Sequence, residues 1–402
     1  MKKFVVMSMS LMLLVGLVGA VWASEPGKLT IWADANRAPV LVEISKEFSA
    51  EYGIPVEVQE LDFGTIRDKF GVAGPAGEGA DIIIGPHDWI GQLMADGLLE
   101  PILFLEDISD QFVPVGLEAF SSGGKIYGLP CATEAIGIVY NKDLVSVPPK
   151  TYSEFLNVAR ALTDPEKSQY GFLSNIPGGP DPYHSFPFIT AFGGYIFGLD
   201  EEGVLDPTDI GLDNEGAIKG GHLILDLVKE GILPAGTDYG AMTGLFNEGK
   251  VGMILAGPWV LPGAKAAEIN YGIAKLPTIA GQTMRPFVGV QGFMVNAFSE
   301  NKPLAMTFLQ DFVTTKETML AIYEKEPRNP AFLPALEEVS VNPDVATWSA
   351  SAADGVPMPS IPEMSAVWDA WADALSLIVN EEMSPEDALH DAVARIRELI
   401  GS

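Results

Sequence analysis

The sequence predicts an α/β protein folded as two lobes. Three observations carry that expectation. Short apolar strands alternate with amphipathic helices along the first part of the chain, which is the rhythm of a βαβ sheet. At 402 residues the chain is too long for one comfortable core. Its 48% apolar and 19% charged residues describe an ordinary globular protein rather than a disordered one.

Taken in order, the chain opens with Lys2 and Lys3, an apolar run from Phe4 to about Val18, and Val21, Trp22 and Ala23 ahead of Ser24. Basic residues, an apolar stretch and small residues in that order are the pattern of a cleavable export signal over residues 1–23. An uncleaved anchor is the alternative, which Ser8, Ser10, Gly16 and Gly19 weaken. Next, "KLTIWA" reads as a strand and "PVLVEISKEFSAEYG" as a helix closed by Gly53. "IPVEVQEL" is an alternating strand and "GADIIIG" a buried one. In "DIIIGPHDWIG" the buried strand ends on Asp88 and Trp89. Either Asp88 caps a helix over "WIGQLMADG" that stops at Gly97, or it belongs to a ligand site at a strand's carboxyl end, where open α/β sheets place one. Further on, Thr151 and Glu154 have capping-box spacing ahead of Phe155, Val158, Ala159 and Leu162. Ser384, Pro385 and Asp387 open a last helix carrying Leu389, Val393, Ile396 and Ile400 on one face. The stretches 174–188 and 351–364, rich in glycine and proline, read as loops.

Charge and motif content exclude several functions. A net charge of −30 (24 minus 54) repels phosphate backbones and anionic lipid, so the expectation is no nucleic-acid partner. One cysteine, Cys131, offers neither a disulfide framework nor a lipid-attachable residue beside the signal. The four histidines are scattered, and HExxH, CxxC and GxSxG spacings do not occur. The glycine-rich "GVAGPAGEGAD" (71 to 81) lacks the lysine and hydroxyl of a phosphate loop and reads as a flexible loop. The acidic run from Asp200 misses calcium-loop spacing. The reading is therefore of no catalytic set, no metal and no cofactor.

What stands out is a repeated pairing of aromatics with carboxylates in loops: Asp88 with Trp89, Asp181 with Tyr183 and Phe186, Trp259 in "AGPWVLPG", and Trp368 with Trp371 after "IPEM". Sugars offer apolar C–H faces to aromatic rings and hydroxyl rims to carboxylates, so this is the equipment of a carbohydrate site. Each residue alone has a plainer role as core anchor or turn cap.

The stretches "KLTIWADANRAPVLVEISKEF", "GADIIIGPHDWIGQLMADGLLEPI", "EAIGIVYNKDL", "LAGPWV", "NYGIAKLPTIAGQTMRPFVGVQGFMVNAFSENKPLAMTFL" and "PMPSIPEMSAVW" together resemble the extracytoplasmic maltose and maltodextrin binding proteins of bacterial ABC importers, particularly the branch from thermophilic bacteria. The resemblance runs from about Lys28 to the end. It implies a periplasmic-binding-protein fold whose two α/β lobes close about a sugar. One lobe would be 24–132 plus 290–338 and the other 137–287 plus 345–402, with hinge crossings near 133–136, 288–289 and 339–344. It implies a periplasmic or extracytoplasmic monomer that is not an enzyme and hands maltose or maltodextrin to the importer's permease subunits. Asp34, Asn36, Arg37, Asp88 and Glu134 would supply polar contacts, as Asp181 would from the opposite lobe. Tyr183, Trp259 and Trp368 would be aromatic platforms, with Phe186 beside them.

Asp181 replaces the family's more usual glutamate. Gly85 stands where the best-known members have a cleft tryptophan, and Trp89 and Ala372 stand where they have arginines. The site is thus more aromatic and less cationic, with Trp89 supplying part of the surface missing at Gly85, so trehalose or a β-linked oligosaccharide competes with maltose and maltotriose. A rival reading is an exported glycoside hydrolase using a carboxylate pair such as Asp88 and Glu134.

Overall fold

The computed structural model describes residues 27–176, 181–234 and 236–401, so the export signal expected at 1–23 lies outside the described residues. Leu29–Ala33, buried throughout, pairs in parallel with Val56–Glu60 and Ile82–Pro86. The helix Ala38–Tyr52 between the first two buries Val40, Leu41, Ile44 and Phe48 and ends at Gly53, whose φ of 69° suits a residue without Cβ.

The larger sheet runs Asn329–Pro330, Leu129–Ala135, Phe287–Asn296, Ile82–Pro86, Leu29–Ala33, Val56–Glu60 along its main path. Its centre is the ten-residue strand Phe287–Asn296, buried at every position and antiparallel to both neighbours. Because strand side chains alternate, Ile82 and Ile84 join Phe48, Phe293 and Phe308 on one face. Ile83 joins Trp32, Ile66 and Phe70 on the other. Both faces are covered, which is why these strands read as continuous apolar runs.

The smaller sheet orders Tyr271–Ala274, Gly137–Asn141, Val251–Ala256 and Tyr170–Leu173. Ile138, Phe172, Met253 and Leu255 pack toward the helices Glu215–Lys229, Met364–Val379 and Pro385–Ile400. Val139, Leu173 and Ile254 meet Phe246 and Trp348 behind. The expected caps are present: Thr151 and Glu154 make both bonds of the capping box, and Ser384 accepts from the Asp387 N–H. The chain passes from the larger sheet to the smaller across the single residue Ile136, returns between Ala274 and Phe287, and meets strands of both again in the helix Pro343–Asp354.

Three expected loops are partly regular. Within 174–188 the helix Pro182–Thr190 forms, with Asp181 at its N-cap and Pro187 inside it. Proline is tolerated at the first helical position, and burial of Phe186, Phe188 and Ile189 outweighs the weak local propensity. In 351–364 the preceding helix runs to Asp354, Val356–Pro357 pairs with Phe287–Val288, and the next helix begins at Met364. The glycine-rich 71–81 stretch starts as the end of the helix Phe63–Ala73 and a 3-10 turn at Gly74–Ala76.

Candidate functional site

Ends of strands from both sheets converge. On the side of the larger sheet, the turn after Ala33 holds Asp34, Asn36 and Arg37, and the turn after Pro86 holds His87, Asp88 and Trp89. Arg37 is buried between Asp34 (Nη1 to Oδ2, 3.1 Å) and Glu326 (Nε to Oε2, 3.1 Å). Asn36, exposed at the edge, donates to Glu326 Oε1 at 3.1 Å. Arg328 is paired with Glu326 and Glu134, and Glu134 also accepts from Gln291 Nε2 at 3.1 Å. Glu134 is thus an interior member of an ion network.

Asp88 does not cap the following helix. It lies within the 3-10 turn His87–Trp89, the helix Ile90–Ala95 has no side-chain cap, and Gly97 provides the left-handed stop at φ 69°. Its Oδ2 instead accepts from Trp368 Nε1 across the interface at 3.2 Å. Beside it the indole of Trp89 lies over Gly85, where a Cβ would sit 2.1 Å from Trp89 Cζ3. Trp89 therefore fills the space a side chain at position 85 would take, and its ring also meets Phe63 at 5.6 Å.

The side of the smaller sheet supplies the rings. Tyr183 and His184 start the helix Pro182–Thr190, Trp259 sits in the turn after Val251–Ala256, and Trp368 is in Met364–Val379. Tyr183, Trp259 and Trp368 are each half-buried. Tyr183 lies 6.1 Å from Trp259 and stacks at 5.8 Å on Phe287, which meets Trp368 edge-on at 6.0 Å. The Arg328 guanidinium sits 5.1 Å over Trp259, joining the ion network to the aromatic wall. Phe186 is 1% exposed with its ring flat on Phe287 at 3.6 Å, so it supports the wall from behind. Asp181 is the helix N-cap, accepting from the His184 backbone N–H, His184 Nδ1 and Asn175 Nδ2.

Electrostatics mark the same place. Burial pushes the Asp88 carboxyl up to about 6, against the pull of Arg67 and the Trp368 N–H. Burial alone would raise Asp181 too, but His184 and Asn175 outweigh it and hold that carboxyl at about 2. Burial raises the Tyr183 phenol well above its ordinary value, with Glu134, Asp181 and Asp88 adding to the effect and Arg328 opposing it. His87, enclosed with Nε2 on Met358 O (3.0 Å) and Nδ1 accepting from Val290 N–H (3.1 Å), is pulled down by burial to about 4. Among the described residues, Asp88 Oδ1, Gln291 Oε1, His184 Nε2 and the Tyr183 hydroxyl are buried without a hydrogen-bond partner. Among the described residues no group of acidic, histidine or cysteine side chains could hold a metal ion, and none of their helices is long and apolar enough to cross a membrane.

Sequence reading missed His184, Phe287, Gln291, Glu326 and Arg328. "EKEPRNP" carries the last pair in plain view, but nothing local ties it to partners 289 and 194 residues away.

The chain matches the family model of bacterial extracellular solute-binding proteins over residues 34–319. It is 32% identical to the galactooligosaccharide-binding protein of Bacillus subtilis over 383 residues, 92% of this chain and 89% of that protein. It is 30% identical to the maltotriose-binding protein of Pyrococcus abyssi over 370 residues, 88% of this chain and 78% of that one. A maltooligosaccharide ABC transporter solute-binding lipoprotein of Streptococcus pneumoniae is 28% identical over 390 residues, 94% of this chain and 90% of that protein. These matches leave no room for the hydrolase reading of Asp88 and Glu134. The chain belongs to the bacterial extracellular solute-binding proteins, and its task is to bind a solute outside the cytoplasm rather than to transform one.

Proposed function

We propose that this protein is the substrate-binding component of an ABC sugar importer, which holds a neutral oligosaccharide of the maltose and maltodextrin type between its lobes and delivers it to membrane permease subunits. The observation that carries the ligand class is the chemistry left unused at the site. Asp88 Oδ1, Gln291 Oε1 and His184 Nε2 lack partners beside the half-buried faces of Tyr183, Trp259 and Trp368. With the Gln291 amide oxygen facing the site and only Nδ1 of His184 carrying a proton, these three atoms are acceptors, and the Tyr183 hydroxyl, also without a partner, both donates and accepts. Arg37 and Arg328 are already paired with Asp34, Glu134 and Glu326, and Arg67, whose charge also reaches Asp88, is paired with Asp68. A ligand rich in hydroxyl donors with apolar ring faces fits this set; an acidic or phosphorylated sugar does not.

In this reading Tyr183, Trp259 and Trp368 stack on the sugar and Asp88 accepts a hydroxyl. Asp34, Asn36, Arg37 and Glu134 shape the polar wall, and Trp89 widens its aromatic surface. Lobes of 24–132 plus 290–338 and 137–287 plus 345–402 would rotate about crossings near 133–136, 288–289 and 339–344; the one-residue passage at Ile136 supports the first of these. Residues 1–23 would be removed on export to the periplasm, which N-terminal sequencing of the exported protein tests. A galactooligosaccharide is the second reading, favoured by the Bacillus subtilis relative and by Trp89 in place of an arginine. Calorimetric titration with maltose, maltotriose, trehalose, cellobiose, mannobiose and galactobiose, with reducing ends assayed in the same samples, tests the proposal. Saturable binding of a neutral sugar without new reducing ends is expected; no binding across the panel would overturn it.

A further inference from the structure

We propose that His184, through Nε2, is the hydrogen-bonding group that the helix Pro182–Thr190 offers to the bound sugar, and that Asp181 is a positioning residue that fixes the His184 ring. This deepens the oligosaccharide reading and rests on it. The argument begins with lone pairs. An ionised carboxylate has about four acceptor sites, and three bonds already reach Asp181 from its own side of the cleft: the His184 backbone N–H at 3.1 Å, His184 Nδ1 at 2.7 Å and Asn175 Nδ2 at 2.7 Å. Little capacity remains for a ligand. The shorter side chain is thus occupied at the helix N-terminus, as an N-cap aspartate usually is.

The same bonds fix the neighbour. A carboxylate that accepts from Nδ1 requires the proton on that nitrogen, and the three donors that reach Asp181 favour its ionised form. In the neutral ring Nε2 is then left as an acceptor, by the logic through which a carboxylate fixes the tautomer of a histidine metal ligand. His184 is only 5% exposed, and its Nε2 has no partner among the described residues. Its ring lies edge to face with two of the proposed platforms, 5.6 Å from Tyr183 at 71° and 5.9 Å from Trp259 at 90°. A buried acceptor fixed between two stacking surfaces asks for a hydroxyl donor, and a stacked sugar carries hydroxyls around its rim.

The test uses the oligosaccharide that the wild-type protein binds most tightly in the calorimetric panel. If wild type binds no sugar, the oligosaccharide reading itself has failed, and this inference with it. Where wild type binds, the 15N resonance of His184 Nε2 should move on saturation, which a purely structural histidine would not show. His184→Phe should weaken binding at least about tenfold, the scale of one lost hydrogen bond. His184→Gln, which keeps a polar group near the Nε2 position, should recover part of that affinity. In Asp181→Asn the Nδ1–H tautomer preference should relax in the 15N spectrum while measurable binding remains. A 15N signal that ignores saturating sugar, or a folded His184→Phe protein with wild-type affinity, overturns this inference and leaves the oligosaccharide reading standing.

Discussion

Asp88 and His87 are adjacent, His87 enclosed and Asp88 half-buried with its Oδ1 sealed from solvent, yet burial moves them in opposite directions. Asp88 rises from an ordinary 3.8 to about 6, so its contribution favours the folded state fully below 3.8 and is lost as pH climbs through about 6. His87 falls from 6.5 to about 4, so its contribution is complete above 6.5 and is lost as pH falls toward 4. In the wild type the two nearly cancel. Asp88→Asn removes one and exposes the other, so the stability of this variant relative to wild type should grow by about 3 kcal/mol between pH 4 and pH 6.5. Urea unfolding at both pH values measures it, and a difference that does not change with pH contradicts the burial account. Sugar affinity should fall in the same variant, since an ionised acceptor is replaced by an amide.

Trp259 is read from the sequence as an aromatic platform, with a core-capping tryptophan as the plainer role. Its indole lies over Gly257, under Arg328 and beside Tyr183, half-buried rather than enclosed. Trp259→Ala should therefore cost about 2 kcal/mol or more in binding, near thirtyfold, with less effect on stability than the 3 to 5 kcal/mol of a deleted core tryptophan. Melting and titration on one sample separate the outcomes, and a large drop in Tm at unchanged affinity would assign Trp259 to the core. Local pattern singles out Asp88, Tyr183, Trp259 and Trp368, which the structure gathers in one place, because aromatics and carboxylates in turns stand out against their surroundings. It could not tell Phe186 from them, since only the stacking of its ring on Phe287, a residue of a distant strand, decides that Phe186 faces inward.

At the scale of elements, the strands and caps were legible because they rest on short-range rules: short apolar runs in Leu29–Ala33 and Ile82–Pro86, alternation in Val56–Glu60, the reciprocal bonds of Thr151 and Glu154, the glycine after Tyr52. The helix Pro182–Thr190 was not, because its prolines argue against helix locally and its stability comes from burial. Less visible still is a device that recurs at the strand ends. Gly85, Gly257 and Gly289 each leave room for a site side chain to lie on bare backbone: Trp89, Trp259 and Glu134 approach the missing Cβ positions to 2.1, 2.2 and 2.8 Å. Gly85→Ala and Gly257→Ala should each destabilise by about 1 to 3 kcal/mol through overpacking and weaken binding by displacing the ring. Gly244→Ala, in the helix Tyr239–Asn247 with open space at its Cβ, is the control and should be neutral or slightly stabilising. Equal effects at all three positions would show that the rings do not need the glycines.

At the scale of the molecule, each sheet carries its own core, and what joins them is narrow. The Trp368 to Asp88 hydrogen bond and the Arg328 contact with Trp259 both involve residues that line the proposed site. In the proposed reading, a ligand that meets both walls would shift an open ensemble toward closed. Sequence reached the two-lobe plan through length and family resemblance. It could not reach the contacts between the two sides, which join residues 280 positions apart in the case of Asp88 and Trp368. The measurement that bears most directly on the central claim, an oligosaccharide enclosed between two lobes, is small-angle X-ray scattering on the protein with and without the sugar that saturates it in calorimetry. A smaller radius of gyration in the saturated protein is the expected result; an unchanged radius at demonstrated saturation would contradict enclosure between the lobes.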